Sequence, residues 1–319
     1  MAPDETTADA PSQAAEKFQH PDVTASGERR AHVKFTRLET LWVNTGTLCN
    51  IKCAHCYIDS SPKNDRLAYL TAAELAPFLN EAEAMNASEI GFTGGEPFMN
   101  PQMVDMAEDA LAHGFNALVL TNAMRPMMRP AVRDGLLALR QKYRNKLTLR
   151  VSLDHFTRAG HDEERGEGSF VATLAGLHWL SAHDFHITIA GRSLKGESMA
   201  DLRDGFADCF AEHQIPVDAH NPASLVIFPE MDALKSVPEI TDACWSILGK
   251  NPDDVMCATS RMLVKRKDAA APVVLSCTLL PYDAQFEMGA NLKEAVGPVK
   301  LNHPFCAQFC VLGGASCSG

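Results

Sequence analysis

Cys49-Asn50-Ile51-Lys52-Cys53-Ala54-His55-Cys56 sets three cysteines at the spacing C-x3-C-x2-C, directly after the apolar run Leu41-Trp42-Val43. The run reads as a strand and the cysteines as a compact loop at its end. Such a loop can aim three thiolates at one point. Soft sulfur donors select zinc or iron–sulfur clusters. A [4Fe–4S] cube held by three thiolates keeps one iron open, and an open metal position can take a substrate or cofactor. A zinc knuckle completed by His55 is the bland reading. It fits poorly, because His55 lies between two of the ligands and zinc leaves a second motif unexplained.

That second motif is Thr93-Gly94-Gly95-Glu96-Pro97, about forty residues on. Alone, a Gly-Gly-Glu-Pro run is a turn signal. In this order and at this distance from the triplet, the pair resembles the radical S-adenosylmethionine (SAM) enzymes. The resemblance implies that Cys49, Cys53 and Cys56 hold a [4Fe–4S] cluster whose open iron chelates SAM. It also implies reductive cleavage to methionine and a 5′-deoxyadenosyl radical that abstracts hydrogen from the substrate. His55 falls at the family's aromatic position near adenine, where a ring that merely packs is an equal reading. Gly94 and Gly95 let backbone approach a ligand closely. Glu96, ahead of Pro97, is then the acceptor for the SAM ammonium.

Composition sets the frame. The chain has 319 residues, 46% hydrophobic and 22% charged, enough for one large α/β domain and an appendage. A formal net charge of −11 argues against a nucleic-acid substrate. No apolar stretch approaches membrane-spanning length. The absence of an apolar signal-like start places the ten cysteines in a cytoplasmic, metal-binding context rather than a disulfide framework. Residues 1–32, with few apolar positions up to about Arg30, read as a disordered leader.

From Val33 onward, strand and helix alternate six times. Strands are expected at Leu41–Val43, Glu89–Phe92, Ala117–Leu120, Leu147–Leu153, His186–Ala190 and Leu225–Phe228. Thr71 to Glu74 forms a capping box for a helix to about Met85. Asn100-Pro101 reads as the N-cap and first residue of the next helix. Helices are also expected over Pro130–Tyr143, Ser169–His183 and Met199–His213. This alternation means a parallel sheet with right-handed crossovers. The resemblance makes it a partial (β/α)6 TIM-like barrel over residues 33–230, with chemistry at the carboxyl ends of the strands. Asn122, then Ser152 and Asp154 on one face, and Arg192 all fall at such ends. His161-Asp162-Glu163-Glu164-Arg165-Gly166-Glu167-Gly168-Ser169-Phe170 resembles a run found in family members with extra clusters. Arg165 or Arg192 would pair with the SAM carboxylate; for Arg165 a solvated charged loop is the competing reading.

Residues 231–319 form a cysteine-rich tail: a helix over Glu239–Leu248, a hairpin of Arg261–Lys267 and Val273–Cys277, and Cys257, Cys277, Cys306, Cys310 and Cys317. The layout resembles the twitch or SPASM appendage, which holds auxiliary [4Fe–4S] clusters, although the full SPASM set of seven cysteines is not present. Cys277, Cys306, Cys310 and Cys317 are the favoured ligands, with Cys257 replacing one of them as the variant. A structural zinc or an oxidative disulfide is the bland reading, and Cys209 and Cys244 read as core thiols. The expected activity is a radical SAM enzyme acting on a small molecule, with a maturase of a ribosomally made peptide as the alternative. A non-catalytic iron–sulfur protein comes third. A one-electron donor such as flavodoxin or ferredoxin is implied in the enzymatic cases.

Overall fold

The computed structural model describes residues 16–193, 196–232 and 234–315. A short strand, β1 (His32–Val33), leads to β2 (Thr40–Asn44). Then follow α1 (Ala72–Ala84), β3 (Glu89–Thr93), α2 (Met103–Ala112), β4 (Asn116–Thr121) and α3 (Pro130–Tyr143). Next come β5 (Leu147–Ser152), α4 (Arg158–Arg165), α5 (Ser169–Ala182), β6 (His186–Ser193), α6 (Met199–Glu212) and β7 (Leu225–Pro229). The tail holds α7 (Cys244–Leu248), β8 (Ser260–Val264), β9 (Val273–Leu275), β10 (Glu287–Gly289) and β11 (Val299–Lys300).

Strands β2 to β7 lie side by side in chain order, every pair parallel, as expected for a partial (β/α)6 barrel. Each strand up to β6 returns through at least one helix. Local chemistry explains several boundaries. Thr71 and Glu74 cap α1 reciprocally, as the sequence predicts. Asn100 does not cap α2, which begins three residues later, at Met103. Its side chain instead donates to Thr45 O (3.0 Å) and Leu70 O (2.8 Å), tying three loops together.

Every residue of β2 is buried. Leu41 and Val43 face the helix-side core, while Trp42 belongs to a second core built mostly from the tail. Gly91 sits opposite Trp42, and a Cβ there would come within 2.6 Å of the indole. The tail is continuous with the barrel sheet. β8 pairs parallel with β2 and extends the sheet beyond it; β9 and β10 then add antiparallel. The predicted hairpin is present as β8 and β9. Its parallel docking on β2 is a long-range pairing that no local pattern announces.

Two expectations fail together at one ion pair. Residues 16–32 are not free: Arg30 is fully buried and pairs with Glu239 at 2.5 Å. Glu239 also accepts from Phe18 N (2.7 Å) and Ala25 N (2.6 Å), and β1 pairs with β11 of the tail. Of the predicted leader, residues 1–15 lie outside the described residues. Glu239 is correspondingly not helical, and the predicted helix shrinks to α7. Polar composition suggested disorder, but a buried charge pair with backbone donors holds the segment.

Removing one partner of a buried pair strands the other charge. Arg30→Ala is therefore expected to cost about 3–5 kcal/mol in a urea unfolding experiment at neutral pH. A change below about 1 kcal/mol would show that the pair is not what holds residues 16–32.

Candidate functional site

The cysteine loop leaves the end of β2 and is bound to the loop after β3 by main chain. Thr45 N donates to Thr93 O (2.8 Å), Gly95 N to Gly46 O (2.8 Å) and Glu96 N to Leu48 O (3.1 Å). A Cβ on Gly95 would stand 2.2 Å from Leu48 O, and one on Gly94 would stand 2.5 Å from Gly46 O. Gly94 also has φ +142°, a region side chains disfavour. These glycines thus let backbone approach the cysteine loop itself, and not only a ligand.

Cys49, Cys53 and Cys56 line one cleft of about 140 Å³ at the strand ends. The same cleft is lined by His55 of the cysteine loop and by Gly94, Gly95, Asn122, Ser152, Asp154, Arg165 and Arg192, from the ends of β3 to β6 and from α4. Glu96 and Pro97 do not line it. Glu96 is 1% exposed and accepts from Thr121 Oγ1 (2.8 Å), Asn122 N (2.8 Å) and Phe98 N (3.3 Å). Pro97 opens the short turn that follows. Asn122 in turn donates to Asn50 Oδ1 (2.9 Å) in the cysteine loop.

Arg165 is not a solvated loop residue. It grips Asp154 with two hydrogen bonds, Nε to Oδ2 (2.8 Å) and Nη2 to Oδ1 (3.0 Å). Burial opposes the ionisation of Asp154, but the guanidinium outweighs it and holds the carboxyl below the usual carboxylate range. His161 is buried and accepts from Asp154 N through Nδ1 (3.2 Å); burial pulls its pKa down to about 4, so the ring is neutral. Asp162 gathers the start of α5, accepting from Gly168 N, Ser169 Oγ and Phe170 N.

Glu164 escaped sequence reasoning. It is 6% exposed and clamps the cysteine loop. Its carboxylate meets His55 Nδ1 at 2.8 Å and Arg192 Nη1 at 3.6 Å, and its carbonyl accepts from Ala54 N (2.8 Å). Arg192 Nη2 also donates to His55 O (2.9 Å). The only signal was its place beside Arg165 in an acidic run, where an exposed carboxylate is the commoner outcome.

The donor set suits a soft metal. Burial pushes the Cys49 thiol up to about 12 and raises Cys53 as well. Neither ionises unaided near neutral pH, whereas a bound metal deprotonates a coordinating thiol outright. Among the described residues, no three His, Cys, Asp or Glu side chains converge on a single-ion site. A four-iron cube takes one thiolate per iron, so its ligands surround a body rather than a point.

A second set of thiols lies in the tail. Cys257, Cys277, Cys306 and Cys310 line one small cavity walled by apolar groups such as Phe286 and Phe305. Cys306 and Cys310 share a single wide helical turn, Cys306–Val311. Burial raises Cys257 to about 12 and Cys306 well above its ordinary value. Cys317 lies outside the described residues, so the structure groups Cys257 with the three described cysteines of the favoured set. Cys209 packs in the helix-side core and Cys244 beside the second core. Cys49, Cys53, Cys56, Cys209, Cys244, Cys257 and Cys306 are free thiols.

Six parallel strands in chain order thus end on a cleft lined by three thiols and two guanidiniums. The sequence profile of the radical SAM superfamily matches residues 43–208, and the chain belongs to that superfamily. AlbA, an antilisterial bacteriocin subtilosin biosynthesis protein of Bacillus subtilis, is 29% identical over 160 residues, 49% of this chain and 33% of AlbA. The mycofactocin maturase MftC of Mycobacterium ulcerans is 31% identical over 137 residues, 43% of this chain and 35% of MftC. An AdoMet-dependent heme synthase of Methanosarcina barkeri is 28% identical over 152 residues, 46% of this chain and 41% of that protein. The matches thus span between about a third and two fifths of these relatives. Streptococcus suis SuiB, solved with its precursor peptide SuiA, superposes with a TM-score of 0.59 at 12% identity, covering 81% of this chain and 63% of SuiB. Its likeness is one of fold. No helix among the described residues is long and apolar enough to cross a membrane.

Burial pushes the Glu96 carboxyl up to about 7, outweighing its three hydrogen bonds, against an ordinary value of 4.5. The folded chain therefore binds a proton that the unfolded chain has released. Stability from this group is full below the ordinary value and is lost as pH rises towards 7. The urea midpoint of the metal-free protein is expected to fall between about pH 5 and about pH 8, with a flatter profile in Glu96→Gln. Parallel profiles for the two proteins would remove Glu96 as the source.

Proposed function

We propose that the chain is a radical SAM enzyme that modifies a peptide, using a SAM-binding cluster at Cys49, Cys53 and Cys56. The observation that carries this is the shared cleft: three thiols, two arginines and the Gly94-Gly95 loop meet at the carboxyl ends of the strands. Cys49, Cys53 and Cys56 would hold a [4Fe–4S] cluster, which would supply the single electron for cleaving bound SAM to methionine and a hydrogen-abstracting 5′-deoxyadenosyl radical. The rest is the work of the protein, which binds, orients and excludes water.

Arg165, fixed by Asp154, and Arg192, fixed by Glu164, present two preoriented cations for the SAM carboxylate. A guanidinium already held in place loses little freedom on pairing with a carboxylate. Ser152 and Asn122 supply polar atoms for the ribose side, and His55 an aromatic face for adenine. Asp154 is engaged by Arg165, so we assign it to holding that cation. We assign Glu96 to positioning: its acceptors are engaged by Thr121, Asn122 and Phe98, and it sets the loop that supports the cysteines. Phe228, Met231, Leu279 and Phe309 close the cleft with apolar surface, which keeps water from a reactive radical.

We place the catalytic barrel in residues 33–230. The cysteine-rich region takes residues 231–319, with residues 16–32 packed against it rather than forming a separate leader. Cys257, Cys277, Cys306 and Cys310 would hold an auxiliary [4Fe–4S] cluster. A flavodoxin- or ferredoxin-like donor in the cytoplasm would supply the electrons. The bacteriocin-biosynthesis and maturase relatives favour a peptide substrate. The heme-synthase relative favours a second reading, in which the same cleft acts on a small molecule.

Cys53→Ala is expected to abolish formation of 5′-deoxyadenosine from SAM under anaerobic reduction with dithionite. A protein lacking Cys49, Cys53 and Cys56 is expected to retain about four irons in the tail after reconstitution. Full turnover by Cys53→Ala contradicts the first site, and an iron-free triple variant contradicts the second.

A further inference from the structure

The third cysteine is followed by a tight return of the chain. Asp59 adopts a left-handed conformation, φ +51°, and its N–H donates to Cys56 O (3.1 Å). The turn is pinned from outside: Tyr282 donates to Ile58 O (2.8 Å) and Asn64 Nδ2 to Asp59 O (2.9 Å). It brings Ser60 back over Cys56, and Ser60 N donates to Cys56 Sγ at 3.3 Å.

The Ser60 side chain is the unexplained part. The residue is 4% exposed, and its hydroxyl is buried without a hydrogen-bond partner. Next door, Ser61 Oγ accepts from Asn64 N (3.1 Å) and Lys63 N (3.3 Å). Leaving a buried hydroxyl unpaired costs free energy, so such a group implies a partner that the folded chain does not itself supply. Ser60 lines the same cleft as Cys49, Cys53 and Cys56, and its own N–H already reaches Cys56 Sγ, which points to sulfur as the partner.

We propose that Ser60 is a positioning residue that sets the reduction potential of the cluster. Its hydroxyl donates to a sulfur at the Cys56 corner, either the thiolate or the neighbouring inorganic sulfide, beside the N–H that already reaches Cys56 Sγ. This rests on the reading that Cys49, Cys53 and Cys56 hold a cluster. Reduction adds negative charge that spreads onto the sulfurs, so donors to sulfur stabilise the reduced state and raise the potential. Ser60 thereby makes the cluster easier to reduce.

The test is a redox titration of the reconstituted holoprotein, following the EPR signal that SAM perturbs, for wild type, Ser60→Ala, Ser60→Thr and Ser60→Val. Thr and Val have the same shape and differ in the hydroxyl. Ser60→Thr is expected to match wild type. Ser60→Val and Ser60→Ala are expected to have more negative midpoints. At the wild-type midpoint, their ratio of reduced to oxidised cluster should be lower by about three- to tenfold, the worth of one hydrogen bond. Equal midpoints for Thr and Val, with equal iron content, overturn the proposal. So does a loss of SAM affinity in Val and Ala at unchanged potential, which would give the hydroxyl to SAM. Wild-type protein that takes up no iron at the three cysteines overturns the cluster reading instead, a failure visible before any titration.

Discussion

Three main-chain hydrogen bonds between the loop after β2 and the loop after β3 carry the site: Thr45 to Thr93, Gly95 to Gly46 and Glu96 to Leu48. A loop bearing three soft ligands has no core of its own and needs an external frame. Backbone bonding supplies one, but only if the two chains approach closer than any Cβ allows, as the 2.2 Å clash at Gly95 shows. The frame continues outward. Glu96 gathers donors from the end of β4, Asn122 reaches back to Asn50, and Glu164 closes the far side through Ala54, His55 and Arg192. The ends of β3, β4 and β6 and one helix thus fix a loop of eight residues, and rigid support of this kind is what a cofactor site requires.

The tail belongs to the same frame. By adding β8 to β2, it places its own core directly behind the strand that delivers the cysteine loop. Leu279 lines both the three-thiol cleft and the four-thiol cavity, so the two sets of sulfur share a wall residue. Phe309, on the turn that carries Cys306 and Cys310, reaches the cleft as well. Events at the tail cavity are therefore positioned to shape the wall against which a substrate would rest.

Much of this was legible in the sequence because the signals were local. Alternating strands and helices announced the parallel sheet, and the cysteine triplet, the glycine pair, Asn122, Ser152, Asp154 and Arg192 line one cleft, joined there by Arg165 from α4, for which a solvated loop was the competing reading. What was illegible depends on contacts distant in sequence. Arg30 finds Glu239 across 209 positions, which turns a polar stretch into packed structure. The pairing of β8 with β2 joins segments from opposite ends of the chain. Glu164 and Ser60 carry residue types that are usually exposed, and only burial reveals their roles. Glu96 illustrates a subtler limit. Its motif was recognised, but the side chain turns to the protein's own donors rather than into the cleft.

Every role proposed for the cleft rests on a four-iron cluster at the three thiols with one iron free for SAM. Low-temperature EPR of the anaerobically reduced protein, recorded before and after SAM is added, tests it most directly. Wild type is expected to give a reduced-cluster signal whose shape changes on SAM addition, and that SAM-responsive signal is expected to be missing when Cys49, Cys53 and Cys56 are replaced. A wild-type spectrum with no SAM-responsive component, or a SAM-responsive component that survives those replacements, would contradict it.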